Sequence, residues 1–303
     1  MNIIEAQNLS HRYGKTEALR DLTLSVPEGT VCALLGANGA GKTTAIKVVM
    51  NLLRPTGGRA TVLGVDSRRL SPRELAHIGY VSENQLLPDW MTVRQFLDYC
   101  RPFYPTWDRA LEAKLLADLD LPEGRRLKEL SRGMTMKVAL LSSIAYRPRL
   151  LVLDEPFSGL DALVREEFVH GMLEVFGAGG WTVFISSHDI EEVERLADTV
   201  AFLDRGRLRF SESTESLLGR FRQIEATLGS AVSAEPPPEG CLDWRREGAF
   251  VRFVEPAYSE KRLEILGSGA LSGARLESKA MTLREIFISI VRNSERPSRR
   301  PRP

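Results

Sequence analysis

Nine consecutive residues, Gly36-Ala37-Asn38-Gly39-Ala40-Gly41-Lys42-Thr43-Thr44, carry the most specific chemistry in the chain. An apolar run, Val31 to Leu35, precedes them, and a helix-like run, Ala45 to Met50, follows. Strand, glycine-rich loop, helix is the context in which backbone N–H groups converge on a phosphate chain. Gly36, Gly39 and Gly41 let the backbone curl, and Asn38 and Thr44 complete the candidate nucleotide-binding loop. Lys42 would reach the β- and γ-phosphates, and the Thr43 hydroxyl would ligate Mg²⁺. A second group lies far downstream. Leu150-Leu151-Val152-Leu153 reads as a buried strand and ends in Asp154-Glu155. Ligands of parallel sheets bind at such carboxyl ends. Asp154 would hold Mg²⁺, and Glu155 would act as general base on an attacking water.

Three shorter signals accompany these two. Leu130-Ser131-Arg132-Gly133-Met134 precedes a helix-like stretch, Thr135 to Tyr146. A serine and a glycine at a helix start form an anion site, although serine is also an ordinary helix cap. Ser158-Gly159-Leu160-Asp161 follows the acidic pair, and Ile185-Ser186-Ser187-His188-Asp189 is a strand ending in histidine. In this order the five motifs resemble those of the nucleotide-binding subunit of an ATP-binding cassette (ABC) transporter, bacterial exporter type. The resemblance covers residues 1 to about 215.

The resemblance implies an α/β phosphate-loop NTPase fold of the ABC type: a mixed sheet core, an antiparallel β subdomain and a helical insertion. It implies ATP and Mg²⁺ as ligands. It also implies a second nucleotide-binding subunit packed head to tail, so that each ATP lies between Lys42 of one copy and Ser131 and Gly133 of the other. Asp161 joins the nucleotide-binding set on the same ground. His188 would hydrogen-bond the γ-phosphate and orient Glu155 and the water, and Tyr13 would stack on adenine. The family places a glutamine where this chain has Glu83, in Gly79-Tyr80-Val81-Ser82-Glu83-Asn84-Gln85. Glu83 is taken as the functional and Mg²⁺-proximal residue, with Gln85 as its substitute. Arg132 and Met134 stand where the family has glycine and glutamine.

The elements that must position these residues are partly legible. Ile3 to Leu9, Leu22 to Val26, Trp181 to Ile185, Thr199 to Leu203 and Arg207 to Phe210 read as strands. Residues of about 85–147 read as a mainly helical insertion, with Val93, Phe96, Leu97 and Cys100 on one face and Leu111, Leu115, Leu116 and Leu119 on another. The ATP-binding domain is expected over 1–215 and a small α+β accessory domain over 216–293, with strands at Gln223 to Leu228, Phe250 to Val254 and Arg275 to Lys279. A final helix begins with a capping box, Thr282 and Glu285, and residues 294–303 read as a disordered basic tail. Glu235-Pro236-Pro237-Pro238-Glu239-Gly240 reads as a loop.

Composition narrows the partners. A formal net charge of +1 supplies no basic field for nucleic acid. Three widely spaced cysteines form no disulfide framework or zinc motif. No apolar run approaches the roughly 18 residues of a membrane span. The expectation is therefore a cytoplasmic protein, peripheral on the inner face of the membrane through a separate integral permease. Leu86-Leu87-Pro88-Asp89-Trp90-Met91 is the candidate dock for that permease, the alternative being that Trp90 is core. A soluble ABC ATPase acting on a macromolecular complex is the rival reading.

Overall fold

The computed structural model describes residues 1–177, 180–228, 237–269 and 271–295. Their contacts divide into two units, Met1–Ser211 and Glu212–Pro303. The first opens with β1 (Asn2–Tyr13) and β2 (Thr16–Pro27), then β3 (Val31–Leu35), the phosphate loop and α1 (Lys42–Val49). After β4 (Gly57–Val62), β5 (Val65–Asp66) and α2 (Pro72–Leu75) comes β6 (Ile78–Val81). Three helices follow: α3 (Val93–Cys100), α4 (Arg109–Asp118) and α5 (Arg132–Ile144). The chain returns through β7 (Leu150–Asp154), α6 (Ala162–Gly177), β8 (Val183–Ser187), α7 (Ile190–Leu196) and β9 (Thr199–Asp204) to β10 (Arg207–Ser213).

Two sheets result. One is antiparallel, in the order β2-β1-β4-β5. The other runs β10-β9-β3-β8-β7-β6, with β9, β3, β8, β7 and β6 mutually parallel. Every residue of β7 and β8 is buried, which explains why both read as unbroken apolar runs rather than alternating ones. Ile46 and Val48 of α1, Leu34 of β3 and Val152 of β7 meet Ile4, Leu9, Leu22 and Val62 of the antiparallel sheet in one core. That core fixes the phosphate loop, because β3 enters it and α1 leaves it.

The helical insertion is narrower than its sequence suggests. Residues 85–92 form no helix; α3 starts only at Val93, where Thr92 and Gln95 form a capping box. Buried Glu112 organises the insertion. It accepts from Arg94 (3.1 Å), Arg101 (2.5 and 2.8 Å) and the Trp107 indole (2.6 Å). Burial pushes its carboxyl up, but the Arg101 and Trp107 bonds outweigh that and hold it below its usual value.

The second unit comprises α8 (Thr214–Arg220), β11 (Arg222–Thr227), β12 (Leu242–Glu247), β13 (Phe250–Glu255), α9 (Glu260–Ser268), β14 (Arg275–Ala280) and α10 (Leu283–Glu295). Its sheet is antiparallel, β12-β13-β11-β14. Ile224, Ala226, Val251 and Phe253 cluster with Leu266 of α9 and Leu271 on one side of it. The sequence gives little warning of β12, whose Asp243 lies at φ 50° within a bulge between Leu242 and Arg245. The strand expected from Trp181 begins instead at Val183 and extends to Ser187. Since α10 continues to Glu295, the expected tail is helical at 294–295; residues 296–303 lie outside the described residues, as do Glu235 and Pro236.

Candidate functional site

Helix α1 begins with no side chain capping it and no acidic residue in its first turn. Its first N–H groups and the positive end of its dipole are left for an anion. Backbone crowding enforces the glycines. A Cβ on Gly36 would stand 2.4 Å from the Leu203 carbonyl oxygen. One on Gly41 would stand 2.4 Å from the Ala18 carbonyl oxygen, at φ +110°. Gly39 lies at φ +80° beside exposed Asn38, while Thr44 is buried.

Lys42 and Glu155 are 5% and 6% exposed, and the Lys42 Nζ lies 3.0 Å from Glu155 Oε1. The same ammonium donates to the carbonyls of Gly36 (2.6 Å) and Ala37 (3.2 Å). Thr43 Oγ1 donates to Asp154 Oδ1 at 3.1 Å. Burial pushes the Asp154 carboxyl up, opposed by bonds from Ser186 and Thr43; the charges of Glu155 and Glu83 add to the rise. Glu155 itself adopts φ 50°, unusual for a residue with a side chain. Its Oε2 lies 2.6 Å from His188 Nδ1, and its Oε1 is buried without an aligned hydrogen-bond donor.

Ser186 was not singled out from the sequence. Its hydroxyl donates to Asp154 Oδ1 (2.7 Å) and accepts from the Glu155 N–H (3.0 Å), so one side chain braces the Asp154 carboxylate and the Glu155 backbone. The signal lay in the parallel pairing of β7 and β8, which sets Asp154 beside Ser186. A support for the histidine loop was missed as well. Arg165 reaches Asp189 (3.0 Å) and stands 2.9 Å from Glu192 Oε1 without hydrogen-bond alignment. Burial and the neighbouring Asp189 push Glu192 up to about 7.

Glu83 accepts from the Ser158 hydroxyl at 3.0 Å. Gln85 turns back on Ser82, taking its N–H (3.2 Å) and hydroxyl (3.0 Å). Of the two, Glu83 is the one that meets the loop after Asp154-Glu155. Ser131 caps α5 through the Met134 N–H (3.2 Å), and Gly133 packs on Val164, where a Cβ would stand 2.3 Å from Cγ1. The Arg132 guanidinium lies over Gly159, 2.4 Å from where a Cβ would be. Asp161 caps α6 through the Val164 N–H (3.0 Å). These residues form a cluster of their own around Gly159 and Val164, without a direct bond to Lys42. Tyr13 ends β1, 49% exposed, edge-on to His11.

The donors fit ATP and Mg²⁺. Uncapped N–H groups and Lys42 suit phosphate, and the Thr43–Asp154 oxygen pair suits a hard divalent ion. A phosphate cradle on one strand end, with a carboxylate joined to histidine on the next two, suits hydrolysis of a nucleoside triphosphate.

Known proteins agree. Residues 19–158 match the family described as ABC transporter. The chain is 39% identical over 220 residues to the daunorubicin resistance ATP-binding protein DrrA2 of Streptomyces coeruleorubidus, covering 71% of this chain and 68% of that one. It is 26% identical over 287 residues to the ABC transporter ATP-binding protein YtrB of Bacillus subtilis, covering 95% and 97% of the two chains. A solved structure, the ATP-binding subunit of an ABC transporter, matches with a TM-score of 0.63 at 27% identity, over 71% of this chain and 91% of that one. The chain belongs to the ATP-binding subunits of ABC transporters. Its activity is ATP hydrolysis, with Mg²⁺ as the usual ion.

Proposed function

We propose that two copies of this chain clasp ATP between them and drive export through a separate integral membrane permease. The observation that carries this reading is the line from buried Lys42 and Glu155 to exposed His188, beside the Thr43–Asp154 pair. In it Lys42 exchanges carbonyl oxygens for β- and γ-phosphate oxygens. Glu155 takes a proton from water as the water oxygen attacks the γ-phosphorus and ADP leaves. His188 holds Glu155 through Nδ1 and presents its other ring nitrogen to the γ-phosphate. Thr43 and Asp154 would hold Mg²⁺, which would neutralise phosphate charge. Ser131 and Gly133 of the second copy close the site, Asp161 lines it and Tyr13 stacks on adenine.

Export follows the drug-resistance relative and the added C-terminal unit. Among the described residues no helix is long and apolar enough to cross a membrane, so force passes to a partner that has such helices. Leu86 and Trp90, 92% and 71% exposed, offer that partner an apolar foothold, which disfavours Trp90 as core. The chain would then sit at the cytoplasmic face of the membrane. The test is direct: Glu155→Gln should bind ATP, lose at least 100-fold in phosphate release and elute as a dimer with Mg-ATP. Wild-type turnover in that variant would remove Glu155 as base.

A further inference from the structure

In the C-terminal unit α10 packs against β12. With β13 and Gln223 of β11, these elements enclose a cavity of about 240 Å³. Three cations line it: Arg245 of β12, Arg252 of β13 and Arg292 of α10. All three are exposed, so the cavity is reachable from solvent. Register sets Arg245 directly opposite Arg252, and like charges so placed are destabilising. Among the described residues, neither Arg245 nor Arg292 makes an ion pair or a side-chain hydrogen bond. The carboxylate across the strand from Arg252, that of Glu225, is already held by Lys279 (2.7 Å) and Gln223 (2.9 Å). A fourth polar group on the wall is also unsatisfied. Ser289 of α10 is 1% exposed, and its hydroxyl has no hydrogen-bond partner among the described residues. A buried hydroxyl left unpaired is costly, and a bound acceptor would remove that cost.

Two carboxylates share the lining. Glu285 is engaged at the start of α10, accepting from the Thr282 N–H (2.8 Å) and hydroxyl (3.1 Å). Asp243 sits in the bulge of β12 at φ 50°. Three guanidinium groups against two carboxylates leave the lining with one positive charge in excess. Val254, Met281 and Ile288 supply an apolar wall. A cavity of ~150 Å³ is enough for benzene, so this one has room for a ring and a charged group. We propose that the cavity binds a small organic monoanion, a carboxylate carried on an apolar ring or short chain. The planar guanidinium fork takes a carboxylate in two parallel hydrogen bonds. An anion there offsets the repulsion between Arg245 and Arg252 and accepts the Ser289 hydroxyl proton, while the apolar wall covers its body. The single excess charge favours a carboxylate over a phosphate group, which carries up to about two negative charges. The site lies wholly within Glu212–Pro303 and shares no residue with the phosphate loop.

The experiment uses the full chain saturated with Mg-ADP, which keeps the probes out of the phosphate loop. Calorimetric titration with millimolar benzoate is compared with benzamide, a neutral molecule of the same shape, and with phenyl phosphate, a dianion. Benzoate should bind roughly tenfold or more tightly than benzamide. Arg245→Gln with Arg252→Gln should weaken benzoate by roughly tenfold or more, and Ser289→Ala by roughly threefold to tenfold. Asp243→Asn removes an opposing charge and keeps a residue type that tolerates positive φ, so it should tighten benzoate severalfold. A gain in affinity cannot arise from failure to fold, so this variant stands even where the arginine pair perturbs the sheet. Benzamide binding as tightly as benzoate makes the cavity merely apolar and overturns the proposal. Benzoate affinity that survives the arginine substitutions, or that does not rise with Asp243→Asn, overturns it too. No heat with benzoate overturns it outright, and tighter binding of phenyl phosphate than of benzoate overturns the monoanion assignment.

Discussion

At the residue scale, Glu155 is held from three sides: by Lys42, by His188 and, through its N–H, by Ser186. Its left-handed φ is sustained by those contacts. Ser186→Ala removes the hydroxyl that braces the Asp154 carboxylate and the Glu155 backbone. It should lower turnover roughly 10- to 100-fold while ATP affinity, measured by calorimetry, changes little, since geometry at the reacting centre weighs more than binding. Lys42→Ala acts on the other term. It deletes the cation proposed to meet phosphate and leaves Glu155 buried without it, so titration calorimetry should show no detectable ATP binding.

At the element scale, α7 carries a pH dependence. Glu192 is buried, and its pKa is raised from 4.5 to about 7. The folded protein holds that proton more tightly than the unfolded chain. The contribution of this group to stability is therefore full below pH 4.5, falls as pH rises towards about 7, and levels off above it. Glu192→Gln should remove this slope and raise stability at pH 8 by on the order of 1–2 kcal/mol, read as thermal midpoints at pH 5 and pH 8. An unchanged slope would assign the pH dependence elsewhere. The start of α1 is equally constrained. Gly41→Ala meets the Ala18 carbonyl at a φ alanine resists, so it should cost at least about 2 kcal/mol and abolish nucleotide binding.

At the scale of the whole molecule, an exposed apolar surface lies beyond the nucleotide site. Trp90 and Leu86 project where the sequence left a choice between dock and core. Trp90→Ala should leave basal ATP hydrolysis within about twofold, since Trp90 touches no group of the phosphate site, yet reduce co-purification with the membrane partner.

Local sequence determined the phosphate loop, the Asp154-Glu155 strand end and the histidine strand end. Each is a short stretch whose glycines, apolar run and polar terminus act within one element, so linear order exposes them. The Thr282–Glu285 cap was legible for the same reason, with the Thr282 N–H bonded to Glu285 at 2.8 Å. Only the tertiary structure decided that Ser186 binds Asp154, that Glu83 rather than Gln85 meets Ser158, and that Arg165 reaches Asp189. Those pairs are separated by 24 to 75 residues, and no local periodicity encodes them. Strand β12 escaped for a related reason: a charged, bulged strand has no apolar alternation, and its place in the sheet exists only once register is set.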